Sequence, residues 1–272
     1  MPAASLSWSS LDRINRKAYR RRRVVRQFAG ASGWLEPGEK AALLSVAEEM
    51  RGAPILDIGV GGGRTTPLMR AISDDYRGID YVPAMAAIAK KRFPDGEFCR
   101  MDARHLEFPA GIFALVAFSY NGIDSVDPEG RRQILAEVHR VLRPRGCFVF
   151  SALNRGDTKS LPRWPDWQEF NGIGLQPARW PRAAARLVLG ALNHWRNRRF
   201  AHDDGEVAIA SLAAHNFALL TVFTALPRQI SELRCQGFIV ETIVTPAGEC
   251  IDPDCPDDSA APWHHFVARK RA

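Results

Sequence analysis

The chain has 272 residues, of which 46% are hydrophobic and 25% charged, and its net charge is +7. This length suits one large domain or a domain with a cap, the composition is that of a soluble globular protein, and no apolar run reaches the roughly 18 residues of a transmembrane helix. Five cysteines at irregular spacing argue against a disulfide framework. The first residues lack the apolar stretch of a secretory signal, since the basic block follows the mildly apolar part, and we expect a cytoplasmic protein.

Arginine supplies most of the positive charge. Surface arginine can simply keep a protein soluble. It can also attract an anionic partner such as a phosphate, a lipid surface or a nucleic acid. Charge alone leaves both interpretations open.

The first 50 residues predict a helical cap. Ser9 or Ser10 can cap the start of a helix. This helix has one apolar face, and arginines occupy the rest of its surface. That face carries Leu11, Ile14, Ala18, Val25 and Phe28. A second helix is predicted to open at Pro37 and to end near Gly52.

Residues 51–272 predict an α/β domain. Short apolar runs at 55–60, 76–80, 97–102, 114–120 and 147–153 alternate with helical stretches. Strands separated by single helices form right-handed crossovers, and these produce a parallel sheet that is covered on both faces. Residues 154–221 break the alternation with a segment rich in Trp, Pro and Arg, which favours an insertion over a strand. A helix near 223–237, a strand from 238 and a last strand from 263 follow it.

The stretch ILDIGVGGGRTT, residues 55–66, places an acid inside the first strand and glycines directly after it. Glycines at this edge of a parallel sheet let the backbone approach a ligand. A phosphate-binding P-loop would need a lysine after the glycines, and the dinucleotide fingerprint fails because Arg64 occupies its last glycine position. Asp57 would also repel a pyrophosphate at short range. The pattern therefore favours a ligand that is cationic or hydrogen-bonding and lacks phosphates.

The stretch from Asp57 to Gly63 matches D-x-G-x-G-x-G and resembles the first motif of class I S-adenosylmethionine-dependent methyltransferases. The resemblance implies a doubly wound, Rossmann-like sheet of seven mostly parallel strands with an antiparallel last strand. It implies that Asp57 helps bind the methionine end of S-adenosylmethionine, that Asp80 accepts the ribose hydroxyls, and that Asp102 receives the adenine amino group. The full set of cofactor-binding residues expected from it is Asp57, Gly59, Gly61, Gly63, Arg64, Asp80, Tyr81, Val82, Met85, Asp102, Ala103, Arg104, Ser119, Tyr120 and Asn121.

Two residues are candidates for catalysis. Asp124 follows the fourth strand, where it is a candidate base or metal ligand; it can equally cap the coming helix. His202 lies in the insertion beside two acids and is a second candidate base. We expect no resident metal, since Cys250 and Cys255 with the adjacent histidines 264 and 265 form only a loose zinc set, and neighbouring residues of a strand point to opposite faces.

The residues after the fourth strand also bear on the acceptor. They lack the Pro-Pro-aromatic run and the Pro-Cys nucleophile of enzymes that methylate nucleic-acid bases, so a nucleic-acid partner is not expected. We expect methyl transfer to oxygen or nitrogen of a small molecule, including sugar- or lipid-linked ones, with residues 154–221 as a lid and with Tyr19 or Trp34 closing the site. Two alternatives stay open: an RNA methyltransferase, and a non-catalytic cofactor-binding subunit whose basic N-terminal helix docks to a membrane or an acidic partner. The oligomeric state is not indicated.

Overall fold

The computed structural model describes residues 9–30, 33–157, 180–211, 216–256 and 260–272. The helices in these ranges are α1 (Ser9–Tyr19), α2 (Arg22–Gly30), α3 (Pro37–Ala47), α4 (Thr66–Ile72), α5 (Pro83–Arg92), α6 (Pro128–Val141), α7 (Trp180–Asn197) and α8 (Leu226–Cys235). The strands are β1 (Ile55–Ile58), β2 (Tyr76–Asp80), β3 (Glu97–Arg100), β4 (Phe113–Phe118), β5 (Leu142–Leu153), β6 (His202–Asp203), β7 (Val207–Ser211), β8 (Leu220–Thr224), β9 (Phe238–Val244), β10 (Cys250–Ile251) and β11 (Trp263–Lys270). Short 3₁₀ helices occupy Gly122–Ser125 and Arg198–Phe200.

The main sheet has the strand order β10-β9-β11-β5-β4-β1-β2-β3. β1, β2, β3, β4 and β5 pair in parallel, whereas β11 runs antiparallel to both β5 and β9. The predicted doubly wound sheet with an antiparallel last strand is confirmed. The predicted number of seven strands is wrong by one, because the two-residue strand β10 adds an antiparallel edge to β9.

Burial on both faces explains why the central strands read as continuous apolar runs. Every residue of β1 and β4 is buried. Leu56 and Ile58 pack into one core layer, and Ile55 packs into the layer on the other side of the sheet. Asp57 also points into this second side, so the sheet core carries a charge at the end of its central strand.

The N-terminal segment folds as two helices, and the prediction of one continuous apolar face over residues 11–28 is wrong. The chain breaks at Arg20 and Arg21, between α1 and α2. Leu11 packs against the second sheet, with Ile209, Leu220 and Val222. The apolar face of α1 is therefore buried within the molecule.

The inserted segment forms strands, which the sequence did not predict. β6, β7 and β8 make a separate antiparallel sheet. The Trp-, Pro- and Arg-rich part of the predicted lid, up to residue 179, lies outside the described residues. In the part of the chain that the structure describes, no helix combines the length and apolar character needed to cross a bilayer.

Asn15 joins α1 to two other elements. Its Nδ2 donates to the carbonyls of Ser125 and Leu220, each at 2.7 Å, and its Oδ1 accepts from the Leu220 N–H at 2.9 Å. The side chain is buried. Asn15 therefore holds the cap on both the second sheet and the 3₁₀ helix after β4.

We predict that Asn15→Ala lowers the free energy of unfolding by about 2 kcal/mol or more, because it leaves buried backbone groups without partners. Urea denaturation followed by circular dichroism measures this loss. Lys17→Ala, at an exposed position of the same helix, is the matched control and should change stability by less than about 0.5 kcal/mol. Equal losses in the two variants would contradict the anchoring role of Asn15.

Candidate functional site

The glycine turn after β1 has a left-handed backbone that only glycine adopts readily. Gly59 and Gly63 have φ angles of 68° and 82°. A Cβ atom at Gly59 would lie 2.9 Å from the Phe118 ring, and one at Gly63 would lie 2.5 Å from the Phe93 ring. Side chains are thus excluded from the turn at these two positions, where only backbone atoms are present.

Asp57 is buried under this turn with one oxygen satisfied and one free. Its Oδ2 accepts hydrogen bonds from the Thr65 hydroxyl at 2.6 Å and from the Tyr76 hydroxyl at 2.9 Å. Its Oδ1 is buried and has no hydrogen-bond partner among the described residues. Burial raises the pKa of Asp57 to about 6, against the opposing effect of the two hydroxyl donors. An unpartnered buried carboxylate oxygen is costly, so it marks a place for a donor or a cation from outside.

Asp80 ends β2 next to the same turn. Its Oδ2 accepts from the Gly61 N–H at 2.9 Å, and its Oδ1 accepts from the Val82 N–H at 2.7 Å. Burial raises its pKa to about 6, although the two backbone donors oppose that rise. Each oxygen keeps a second lone pair, so the carboxylate can accept two further hydrogen bonds.

Asp102, after β3, is engaged by arginines. Arg104 donates to it from its backbone N–H and from its guanidinium, with the shortest bond at 2.6 Å, and Arg16 of α1 reaches it at 3.5 Å. Burial alone would raise the pKa of Asp102, but these donors outweigh it and the pKa lies below its usual value. The same Arg16 stacks its guanidinium 4.6 Å from the centre of the Tyr81 ring. α1 thereby covers the tips of β2 and β3.

Arg64 does not project into solvent. It makes two hydrogen bonds of 2.6 Å to the buried carboxylate of Glu39 on α3 and a third of 3.1 Å to the Trp34 carbonyl. Its guanidinium also lies 4.7 Å from the Trp34 ring centre and 5.3 Å from that of Tyr120. Arg64 thus attaches the helical cap to the glycine turn and orders two aromatic rings beside it.

The chain leaving β4 turns sharply after Ser119. Tyr120 and Asn121 both have left-handed backbones, with φ of 57° and 56°. The Asn121 N–H donates to the Ser151 hydroxyl at 2.8 Å, and the Asn121 Oδ1 is buried without a partner among the described residues. This strained turn presents an aromatic ring and an amide oxygen at the same sheet edge as the two acids.

The aromatic rings near this turn come from the cap. The half-exposed Tyr120 makes edge contacts with Trp34 and Phe28, with ring centres 5.9 and 6.4 Å apart. The Tyr19 hydroxyl lies 2.8 Å from the Ser125 hydroxyl. Burial raises the pKa of Tyr19, and the negative charges of Asp80 and Asp124 raise it further.

Asp124 is placed differently from the prediction of a free base or metal ligand. It is fully buried; its Oδ1 accepts from Arg131 at 2.6 Å and its Oδ2 from the Leu153 N–H at 2.6 Å. Arg131 also binds Gln229 at 3.2 Å. Nor does Asp124 cap the following helix, since Asp127 does so by accepting from the Gly130 N–H. Asp124 therefore links the loop after β4 to α6 and β5.

The remaining predicted residues are distributed as follows. Val82, Met85 and Ala103 are buried beside the tips of β2 and β3. His202 lies exposed on β6, with its ring 3.3 Å from Asp204, and its role as a base stays a prediction. The structure thus gathers the glycine turn, Asp57, Asp80 and the turn at residues 119–121 at one sheet edge.

Two contributors were missed in the sequence, Arg16 and Glu39. Arg16 lies on the polar side of α1, where no local pattern distinguishes it from the other arginines. Glu39 stands in the first turn of α3 and is buried only because Arg64 neutralises it. Asn15 did leave a signal, as a polar residue next to the apolar face of α1.

The sequence is similar to those of known methyltransferases. A family model described as a methyltransferase domain matches residues 55–146. The demethylmenaquinone methyltransferase of Beutenbergia cavernae is 30% identical over 146 residues, which cover 54% of this chain and 57% of that protein. The phosphatidylethanolamine N-methyltransferase of Cereibacter sphaeroides is 35% identical over 105 residues, covering 36% of this chain and 50% of that one. The chain thus spans about half the length of these two curated relatives.

A solved structure has a similar fold over the whole chain. It is the 1,6-didemethyltoxoflavin-N1-methyltransferase of Burkholderia thailandensis, with bound 1,6-didemethyltoxoflavin and S-adenosylhomocysteine. Its TM-score is 0.56 at 16% identity, and the match covers 100% of this chain and 93% of the other. At this identity the likeness establishes the fold.

We predict that Tyr76→Phe destabilises the protein by about 2 kcal/mol at pH 7.5, because Asp57 loses a donor to its buried carboxylate. The loss should be smaller at pH 5, below the Asp57 pKa of about 6, where a protonated carboxyl depends less on that donor. Urea denaturation at the two pH values measures both effects. Tyr81→Phe is the matched control, since the Tyr81 hydroxyl has no hydrogen-bond partner among the described residues. A loss in Tyr76→Phe that is the same at both pH values would contradict this account.

Proposed function

We propose, from the premise that this chain belongs to the class I S-adenosylmethionine-dependent methyltransferase family, that it transfers a methyl group to a small-molecule acceptor. The observation that carries this proposal is the pair of buried acids, Asp57 and Asp80, on either side of one left-handed glycine turn. The first keeps a free oxygen, and the second has spare lone pairs on both oxygens.

The residues fit S-adenosylmethionine better than a phosphate-bearing nucleotide. Asp57 Oδ1 suits the positively charged methionine end of the cofactor, whereas it would repel a phosphate. Asp80 can accept a pair of adjacent ribose hydroxyls while its own backbone donors keep it in place. Tyr81, Val82 and Met85 offer an apolar and aromatic surface beside it for a base.

The contacts of Asp102 differ from the expectation that this residue binds the adenine amino group. Asp102 already accepts hydrogen bonds from Arg104 and Arg16. An adenine amino group would have to share these carboxylate oxygens. We propose that the Ala103 backbone and the Tyr81 ring contribute more to adenine binding than Asp102 does.

The chemistry asked of the protein is modest. The cofactor supplies an electrophilic methyl group on a sulfonium, ready for in-line displacement. The turn at residues 119–121, together with Tyr19 and Trp34 of the cap, would exclude water and align the acceptor. Asp124 is fully buried against Arg131 and the Leu153 N–H, so we do not propose it as the base.

We infer a nitrogen or oxygen atom of a small molecule as the acceptor, with nitrogen favoured. A neutral amine attacks with its own lone pair and needs no base during bond formation, whereas a hydroxyl usually does. The matched relatives include enzymes named for a lipid amine and a quinone precursor, which supports an acceptor with an apolar portion. Radiolabelled methyl transfer from S-adenosylmethionine into fractionated cell extract tests the proposal, and label confined to RNA or protein would overturn the small-molecule acceptor.

We predict that Asp80→Ala weakens the binding of S-adenosylhomocysteine about 100-fold, because two charge-assisted hydrogen bonds are lost. Isothermal titration calorimetry measures the affinity. Asp74→Ala, which removes an exposed acid six residues earlier, is the control and should bind as the unchanged protein does. Tight binding of NAD together with no binding of the methyl donor would contradict the cofactor assignment.

We predict that cofactor affinity falls about tenfold or more when the pH is lowered from 7.5 to 5. Asp57 and Asp80 must be ionised to accept these hydrogen bonds, and burial raises the pKa of each to about 6. Without cofactor the same groups act in the opposite sense, since their contribution to stability is present at pH 4 and is lost as the pH rises through 6. Calorimetry at pH 6 in two buffers of different ionisation enthalpy should show proton release on binding. Affinity that is constant across this range would contradict the role of the two carboxylates.

A further inference from the structure

Helix α7 carries a row of exposed apolar side chains. Val188, Leu192 and Trp195 are spaced as neighbours along one face, and Leu189 lies beside them. Their exposed fractions are 60%, 45%, 59% and 42% in that order. Single exposed apolar residues are ordinary, but four along one helix face form a patch of the kind that marks an interaction surface. We refer to these four residues as the α7 stripe.

The opposite face of α7 is fixed to the protein. The side-chain amides of Asn193 and Asn197 donate to the carbonyls of Asn216 and Phe217, at 2.9 and 2.8 Å. Gly190 is buried and faces the Phe217 ring. The polar contacts of α7 therefore point inward while its large apolar residues point outward, which is the reverse of an ordinary surface helix.

The segment that carries the α7 stripe is positively charged. The sequence from Trp180 to Phe200 contains no acid. Arg186, Arg196, Arg198 and Arg199 are exposed along this segment. The Arg198 guanidinium lies 5.6 Å from the centre of the Trp195 ring. An apolar face with arginines and a tryptophan at its border has the features of a helix that lies in the interface of a bilayer.

We propose that α7 docks the protein on an anionic lipid surface, with the α7 stripe inserted among the acyl chains and the flanking arginines on the lipid headgroups. Charge complementarity selects this occupant. Two α7 helices from two copies of the chain would bring like charges together, which disfavours a symmetric pair. A nucleic acid would meet the arginines but would leave the central Val188 and Leu192 against a polar backbone.

The position of α7 also connects the docking surface to the site. Residues 216–220 bind α7 on one side through Asn216 and Phe217. On the other side, Ala218 and Leu219 pack against Ala18 and Tyr19 of α1. A lipid surface at α7 would thus lie one chain segment away from the cap of the cofactor site.

This placement revises the alternative of docking through the basic N-terminal helix. The apolar face of α1 is used inside the protein, where Leu11 is fully buried. Docking through α7 does not depend on the proposed methyl transfer, so an experiment can contradict one proposal without contradicting the other.

The test is co-sedimentation of the full chain with vesicles. We expect binding to vesicles that contain 30% phosphatidylglycerol in phosphatidylcholine, and binding about tenfold or more weaker for the double variant Val188→Glu, Leu192→Glu. Added salt should weaken the binding of the unchanged protein without abolishing it, since the apolar contribution is not screened.

Leu44→Glu is the matched control, because Leu44 is an exposed leucine, 47% accessible, on another helix. It should bind vesicles as the unchanged protein does. Circular dichroism and S-adenosylhomocysteine affinity, both expected to be unchanged, show that the double variant is folded. Binding that survives in the double variant, or is lost equally in the control, would overturn the proposal. So would sedimentation velocity that shows a dimer converted to a monomer by the double variant without any vesicle binding.

Discussion

A carboxylate held out of water at the end of the central strand governs the arrangement around it. Because Asp57 is buried, its oxygens depend on neighbouring groups for hydrogen bonds, and an oxygen that no neighbour reaches stays unpaired. Thr65 and Tyr76 donate to one oxygen, and the other has no hydrogen-bond partner among the described residues. The unpartnered oxygen of this buried carboxylate is costly, and a donor or a cation would offset that cost.

The helical cap is joined to the glycine turn and the strand tips by arginine side chains. Arg64 leaves the glycine turn and binds Glu39 of α3 with two hydrogen bonds, while Arg16 of α1 reaches the tips of β2 and β3. Breaking a buried charge pair such as Arg64–Glu39 would leave one charge without compensation, which is far more costly than loss of a surface pair. The cap and the strand tips therefore form one cooperative structure, and the excess of arginine in the sequence is partly explained by internal pairing.

Most strands of the main sheet, and the acids at the ends of β1, β2 and β3, were predictable because their signals are local. Apolar runs mark β1 to β5, and an acid at the end of three successive strands marks one edge of the sheet. The contacts of Asp124 could not be predicted, because its partners come from distant parts of the chain. They are Leu153 and, through Arg131, Gln229. The same reason applies to β6 and β7, whose short runs become strands only by pairing with one another and with β8. The extra strand β10 has two residues and no pattern of its own.

The inserted segment packs on α1 with one part and exposes apolar side chains to the outside with another. Its strands β7 and β8 pack on α1 above the site, whereas α7 turns apolar side chains outward. A water-soluble acceptor would need only the first of these surfaces. An acceptor with an acyl or prenyl portion would gain from both, because its apolar part could stay in the lipid phase while its amine or hydroxyl reaches the turn at residues 119–121. The exposure of four large apolar side chains is a cost in solubility, and the proposed docking of α7 on a lipid surface would offset it.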